Sequence, residues 1–490
     1  MVKKFLSLLM IAAVMFTACN QDEIDSLKSD VSELEEKIEQ MEADKAALMT
    51  QIENLETQVG DLTAANTSLQ ADLDALTSQL ADLQAELDAE KAKIFYGDVI
   101  TAEQYAALAE ATGATVIIGN VVAETAEHAS TLANIATIGG NLVTMVNLPN
   151  LEMVSANMSV EGITVEEGAD LIAISFNMLK TVGGEFLVNK NDGMGSLEAG
   201  ELLFVGGDFT ITGNGYIGSV SFVKLTEVVG NFKIYGNSAS SGGINPTYSG
   251  LSVIQGDFTA LTTIGGDFDL TGNKNLTTVK DFNAVTSLSK EGVKIKIGSN
   301  HSKGVAYDVF GSLTSLTKAD IGFYPSAASV SGFNALTDGV YKVQLSATMM
   351  VSGDESFTPC ALNAFNALVS VEYQLDLRAK DVSDFNALAA FTGPTGITDP
   401  EAYNYQQTKV SIYAYSTQPT HPANGWTSDL SALNTYFNKV KAGDFDDAQF
   451  HTVEFKNNTT NVYRQTKYGT TGTTTDRDNY IDAVTATPAL

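Results

Sequence analysis

The residues that most often carry chemistry are scarce in this chain. Its 490 residues include two cysteines, four histidines and one tryptophan. The histidines, His128, His301, His421 and His451, stand far apart and show no metal-ligand spacing. No Gly-x-Ser-x-Gly elbow, phosphate-binding loop or EF-hand acidic ladder is present. Basic residues are few: 28 Lys and Arg face 59 Asp and Glu, a net charge of −31. That balance argues against binding to a nucleic-acid backbone, which needs basic patches, and against direct adsorption to an anionic surface. Acids such as Asp267 and Asp269 alternate with apolar residues, which makes them exposed strand positions before they are a catalytic pair. With no converging acid–base set, the sequence implies neither an enzyme nor a cofactor.

What the chain does have is a repeat. In the stretch 263–288, Phe268 and Leu270 alternate with Asp267 and Asp269, the period-two pattern of a short strand with one buried face. The period then changes: Leu276, Val279, Phe282, Val285 and Leu288 are spaced by three. Period three fits a chain that turns inward at regular intervals, as in one coil of a solenoid. A glycine ahead of a short strand recurs at Gly119, Gly140, Gly162, Gly184, Gly207, Gly230, Gly266 and Gly292. The aromatic-x-x-aliphatic-x-x-aliphatic half recurs as Phe222/Leu225/Val228, Phe258/Leu261/Ile264, Phe310/Leu313/Leu316 and Phe365/Leu368/Val371. Phe333/Leu336 and Phe385/Leu388 are shortened copies. A period of about 20–30 residues means stacked units, none able to bury its apolar side alone. About twelve coils at ~4.8 Å spacing predict a body roughly 55 Å long.

The run Gly265-Gly266-Asp267-Phe268-x-Leu270-x-x-Asn273-x-x-Leu276-x-x-Val279 resembles the receptor L-domain, a right-handed leucine-rich-repeat-like solenoid. The resemblance covers residues 95–400. It implies a mainly β repeat fold in which asparagines such as Asn237 and Asn273 satisfy backbone groups at the turns.

Residues 1–18 read as a signal peptide: Lys3 and Lys4 precede an apolar run, Phe5 to Phe16, too short to span a membrane as a stable helix. The run ends Phe16-Thr17-Ala18-Cys19, which resembles a lipobox and implies lipid attached to Cys19. Cys360 is then left without an intrachain partner. Cys19 and the acidic residues that follow, through Glu23, resemble the export signal of Bacteroidota-type surface lipoproteins, which implies the outer face of the outer membrane.

Residues 24–94 carry an unbroken heptad. Position a holds Ile24, Val31, Ile38, Lys45, Ile52, Val59, Asn66, Leu73, Leu80, Leu87 and Ile94. Position d holds Leu27, Leu34, Met41, Leu48, Leu55, Leu62, Leu69, Leu76 and Leu83. This predicts a left-handed coiled coil roughly 105 Å long. β-branched residues at a with leucine at d favour a parallel dimer, with a parallel trimer as the alternative. The segment 20–94 has 19 acidic and 5 basic residues, read as a solvated helix surface. Asp25-Ser26-Leu27 resembles the Asp-Ser/Thr-aliphatic O-glycosylation site of the same bacterial group, with Ser26 at the water-facing position c.

Thr101 and Gln104 form a capping box for a helix ending at Gly113, which predicts an N-terminal cap for the solenoid. Residues 401–465 predict a C-terminal cap, with a helix over 429–441 and a last strand over 451–456, and 466–490 a threonine-rich tail. Tyr403, Tyr405, Tyr413, Tyr415 and Trp426 crowd together here. They read either as a platform for sugar rings or as packing between the last coil and the capping helix. Two functional classes follow: a binding or adhesion head on a lipid-anchored stalk, for a protein or glycan ligand, and a purely structural surface component. A solenoid polysaccharide-degrading enzyme is the less favoured third. Replacement of Cys19 by Ala is expected to release an unlipidated chain from the membrane fraction, checked by mass spectrometry; unchanged membrane attachment would exclude the lipid site.

Overall fold

The computed structural model describes residues 21–238, 250–300, 305–323, 327–346, 361–379, 390, 393–394, 409–414, 452–457, 460–466, 469–471 and 475. The chain divides into two compact units, Met1–Lys91 and Ala92–Leu490. The described residues of the first form one helix, α1 (Gln21–Ala92), 72 residues long and ending at the first residue of the second unit. No proline interrupts it, and pairs one turn apart line its surface, such as Lys37 Nζ to Glu33 Oε1 at 2.6 Å and Gln40 Nε2 to Asp44 Oδ1 at 2.7 Å. Asp22 and Glu23 in the first turn and Lys91 in the last suit the helix dipole. No residue of α1 is buried.

The second unit is mainly β, a parallel solenoid whose coils have three sides. One side is a 9-stranded sheet from Ile94–Tyr96 to Ser287–Leu288. The second is a 15-stranded sheet from Val121–Ala123 to Gly469–Thr471. The third carries a 3-stranded and a 5-stranded sheet. In the first two coils helices lie between the strands instead, α2 (Ala102–Glu110) and α3 (Ala126–Thr131). The capping box is present as expected: Gln104 N–H donates to Thr101 Oγ1, and Gln104 Oε1 accepts the Thr101 N–H at 2.9 Å. The ring of Tyr105 stacks on His128 with centroids 3.9 Å apart, which ties α2 to α3.

Period three marks the interior. Leu276, Val279, Phe282 and Val285 are fully buried, and Leu288 nearly so. Stacking the coils turns each inward position into a column. Phe186, Phe209, Phe232 and Phe268 stack along the long sheet with centroids 5.4, 4.9 and 5.5 Å apart. Phe222, Phe258 and Phe282 form a second stack that meets the first edge-on. Each aromatic pair contributes about 0.5–1.5 kcal/mol beyond its buried area.

One interior column is polar. Asn191, Asn214, Asn237, Asn273 and Asn300 are buried and hydrogen-bonded in series. Asn214 Nδ2 donates to Asn237 Oδ1 at 3.0 Å and to the Val188 carbonyl at 3.0 Å, and its N–H donates to the same Oδ1 at 3.1 Å. Asn237 repeats the pattern on Asn273 and the Ile211 carbonyl. The series ends where Asn300 Nδ2 meets the Tyr307 hydroxyl at 2.8 Å. Each asparagine thus satisfies turn backbone that the sheets leave unpaired.

Glycine is required where coils touch. A Cβ on Gly183 would strike the Ser155 carbonyl oxygen, and one on Gly265 the Val229 carbonyl oxygen. The opposite economy holds at Phe282, Phe310, Phe333 and Phe365, which take left-handed backbone with φ of 66°, 57°, 52° and 60°. That conformation costs roughly 1–2 kcal/mol for a residue with a Cβ. Complete burial of all four rings offsets it.

Three expectations change. Gly162 does not precede a strand; it follows Met158–Glu161 with φ of 85°. Leu142 pairs with Met158, 16 residues on, and Met158 with Phe186, 28 residues on, so one coil is short and the next carries the excess as an excursion. At the far end Thr452–Asn457 matches the expected last strand, but Thr460–Thr466 and Gly469–Thr471 add antiparallel strands, which carries the sheet a few residues into the expected tail. Position a of the heptad at Ile94 is already the first strand, because the helix ends at Ala92. The helix expected over 429–441 lies outside the described residues.

Replacing Asn237 by Ala leaves the buried N–H of Asn214 without its acceptor. A loss of about 1–3 kcal/mol for each group left unpaired is expected, read as a lowered thermal midpoint.

Candidate functional site

The described residues bring together few of the positions singled out from the sequence. Ser26 is exposed on α1. Tyr413 lies in the strand Lys409–Ala414. Cys19, Tyr403, Tyr405, Tyr415 and Trp426 lie outside the described residues. Among the described residues no group of three or more His, Cys, Asp or Glu could hold a metal ion, and no helix is long and apolar enough to cross a membrane.

What the fold does assemble is a long face. Along the long sheet from Val121–Ala123 to Lys294–Gly298 every second residue packs inward, and the alternate residues form columns on the other side. The column at the edge of this face begins with Asp98 and continues through Asn120, Asn141 and Asn157. Asn120 N–H and Nδ2 both donate to Asp98 Oδ1, and Asn141 N–H donates to Asn120 Oδ1 at 2.9 Å. Further along the same column Asn231 donates to Asp208, and Asp267 N–H donates to Asn231 Oδ1 at 2.7 Å. A central column runs Leu187, Thr210, Lys233, Asp269 and Lys296 by strand register. Lys233 pairs with Asp208 at 3.2 Å and Lys290 with Asp267 at 2.8 Å. Burial pushes both carboxyls up, but the bonds from Asn231 and Lys233 outweigh it at Asp208, and those from Lys290 and Lys294 at Asp267. Both stay below the usual aspartate range. The face is polar and alternating in sign, which suits hydrogen-bonded and charge-assisted contact with an extended ligand.

On another side of the coils two acids approach each other, a pair that neither spacing nor composition signals. Asp281 is 2 % exposed. Its Oδ2 accepts the N–H of Asp257 at 2.9 Å and of Phe258 at 3.4 Å, while its Oδ1 has no hydrogen-bond partner. Burial raises Asp281. Burial also pushes Asp257 up to about 6; the Gln255 N–H opposes this and the charge of Asp281 adds to it.

A carboxyl raised in the folded state stabilises the fold fully below its ordinary value of 3.8 and loses that contribution as pH climbs through about 6. Asp208 and Asp267, held low, act in the opposite sense and only below that ordinary value. Asp257→Asn keeps an acceptor for Gln255 and removes the charge. It is expected to raise the thermal midpoint at pH 7 and to shrink the difference between pH 4 and pH 7; an unchanged profile would show that Asp257 titrates normally.

Family models, curated proteins and solved structures give no match to this chain.

Proposed function

We propose that the protein is a cell-surface binding or adhesion lipoprotein, anchored through acylated Cys19 to the outer membrane. In this reading α1 is a coiled-coil stalk that assembles as a parallel dimer, with a trimer as the alternative. The solenoid, of the receptor L-domain or leucine-rich-repeat-like kind, is the head, and its long strand face meets a protein or glycan ligand.

The observation that carries the reading is the state of α1. Its heptad residues stand in water: Leu55 is 58 % exposed, Leu62 69 % and Leu80 67 %. Leu27, Leu34, Met41 and Leu48 continue the same seam, all at least half exposed. A helix of 72 residues with no buried side chain has no stabilising partner among the described residues of its unit. A second copy fits, because a seam repeating every seven residues is complementary to itself. Lys37 with Glu42 and Glu86 with Lys91 supply attractive flanking pairs, and Asp30 with Glu35 a repulsive one. The long polar face supports the binding role of the head, since repeat solenoids offer extended surfaces of this kind.

The test is direct. A peptide covering residues 20–95 is expected to be helical and dimeric by sedimentation, and Leu55→Pro to break it locally at a cost of about 3 kcal/mol or more. A monomeric, weakly helical peptide would remove the stalk. A glycan and host-protein binding array on the purified head, residues 95–490, tests the ligand; a blank array would favour a purely structural surface role.

A further inference from the structure

We infer that the last coils of the long face bind an anionic saccharide, a glycan carrying spaced carboxylate or sulfate groups. The inference rests on the binding role proposed above and adds a ligand class and a place.

Charge is distributed unevenly along that face. In its early coils the column positions hold Asn157, Glu161, Glu185 and Asp208, and no lysine or arginine stands among the residues paired with them from 158–161 to 209–212. In the middle the signs alternate: Lys294 pairs in register with Asp320, and Asp320 with Lys342. In the last coils the balance reverses. Register sets Lys342 beside Gln374 and Gln374 beside Lys409 in one column. Four residues along the same strands, Arg378 stands beside Tyr413 and Tyr413 beside Lys456. These positions alternate with Leu375, Leu377, Val410, Ile412, Val453 and Phe455, and Leu375 is buried. Alternation therefore places the cationic columns on the face opposite the apolar one. A middle column adds two acids, Asp376 and Glu454, and Arg464 beside Glu454, so five cations and two acids share three columns in a chain whose net charge is −31.

The residue types fit the ligand. Arginine recognises carboxylate and sulfate with a two-pronged hydrogen-bonding edge, lysine adds a point charge, and a tyrosine ring offers an apolar face with a polar tip. The interleaved acids select against a dense polyanion. Duplex DNA carries a charge every ~1.7 Å of axis, which would press phosphates onto Asp376 and Glu454, whereas separated charges can reach the cationic columns alone.

The experiment uses the full-length chain, with polygalacturonate and heparin as anionic probes and dextran and duplex DNA as comparators. Binding to at least one anionic glycan, weakening with added salt, is expected, with less binding to dextran and DNA. The double substitution R378E/K456E is expected to lower that affinity about tenfold or more by reversing two contacts. R378Q/K456Q should lower it less, while Lys274→Glu, off these columns, leaves it unchanged; melting curves establish that each variant is folded. No binding to either anionic glycan, equal binding of DNA, or folded double variants with undiminished affinity would overturn the inference. Binding of a neutral glycan or a protein, indifferent to these substitutions, would overturn it while leaving the surface-binding role intact.

Discussion

Successive coils of this protein lie one strand spacing apart, about 4.8 Å, and nearly everything else follows from that distance. At that spacing an inward side chain touches its counterparts above and below before it touches anything else. Like residues therefore gather into columns, phenylalanine on phenylalanine and valine on valine. A backbone carbonyl near the end of an inner strand is reached by an asparagine from the next coil. Asn214 on Val188 and Asn237 on Ile211 are two cases. Where the chain turns most tightly, there is no room for a Cβ against the neighbouring backbone, and glycine is the remaining choice.

Stability is consequently a neighbour property. Each coil supplies half of two interfaces, and the first and last need covers. At the start α2 brings Tyr105 and Leu108 over the core, and its capping box holds its own first turn. At the far end the parallel sheet reverses into antiparallel strands, and its last edge is three residues long, which blunts an edge that would otherwise recruit another strand. The helical unit is different: among the described residues its apolar stripe is uncovered.

The sequence exposes columns better than it exposes register. Leu276, Val279 and Phe282 announce an inward turn every third residue because a coil of this width allows nothing else. Asn237 and Asn273 are legible as turn asparagines through the resemblance to the receptor L-domain, and Thr101 with Gln104 marks a helix start through purely local chemistry. Gly162 misleads because a short coil followed by a long one keeps the average period. Evenly spaced glycines at 140, 162 and 184 look like three equivalent corners, yet the strand begins at Met158. Pairings between coils are harder still. Asp257 and Asp281 meet because a step of 24 residues closes one coil, and nothing in either residue's neighbours specifies that length. Arg378, Tyr413 and Lys456 stand 35 and 43 residues apart, and only strand register aligns them.

The asparagine column has a direction. From Asn191 to Asn273 each Nδ2 donates one hydrogen bond to the Oδ1 of the next asparagine and another back to a carbonyl of the preceding coil, so the amide-to-amide bonds all run one way. Five amides aligned head to tail polarise one another. The oxygen end is met by the N–H of Ile163 at 3.0 Å and the nitrogen end by the Tyr307 hydroxyl. Such a chain is sensitive to ageing in a way the aliphatic columns are not. Hydrolysis of one amide to a carboxylate would remove a donor, set two oxygens against each other and place a charge in the interior. Asn214, which precedes Gly215, sits inside the series rather than at its end. Slow deamidation there would split the column into two shorter ones, and the complete burial of Asn214 is what keeps water from its amide.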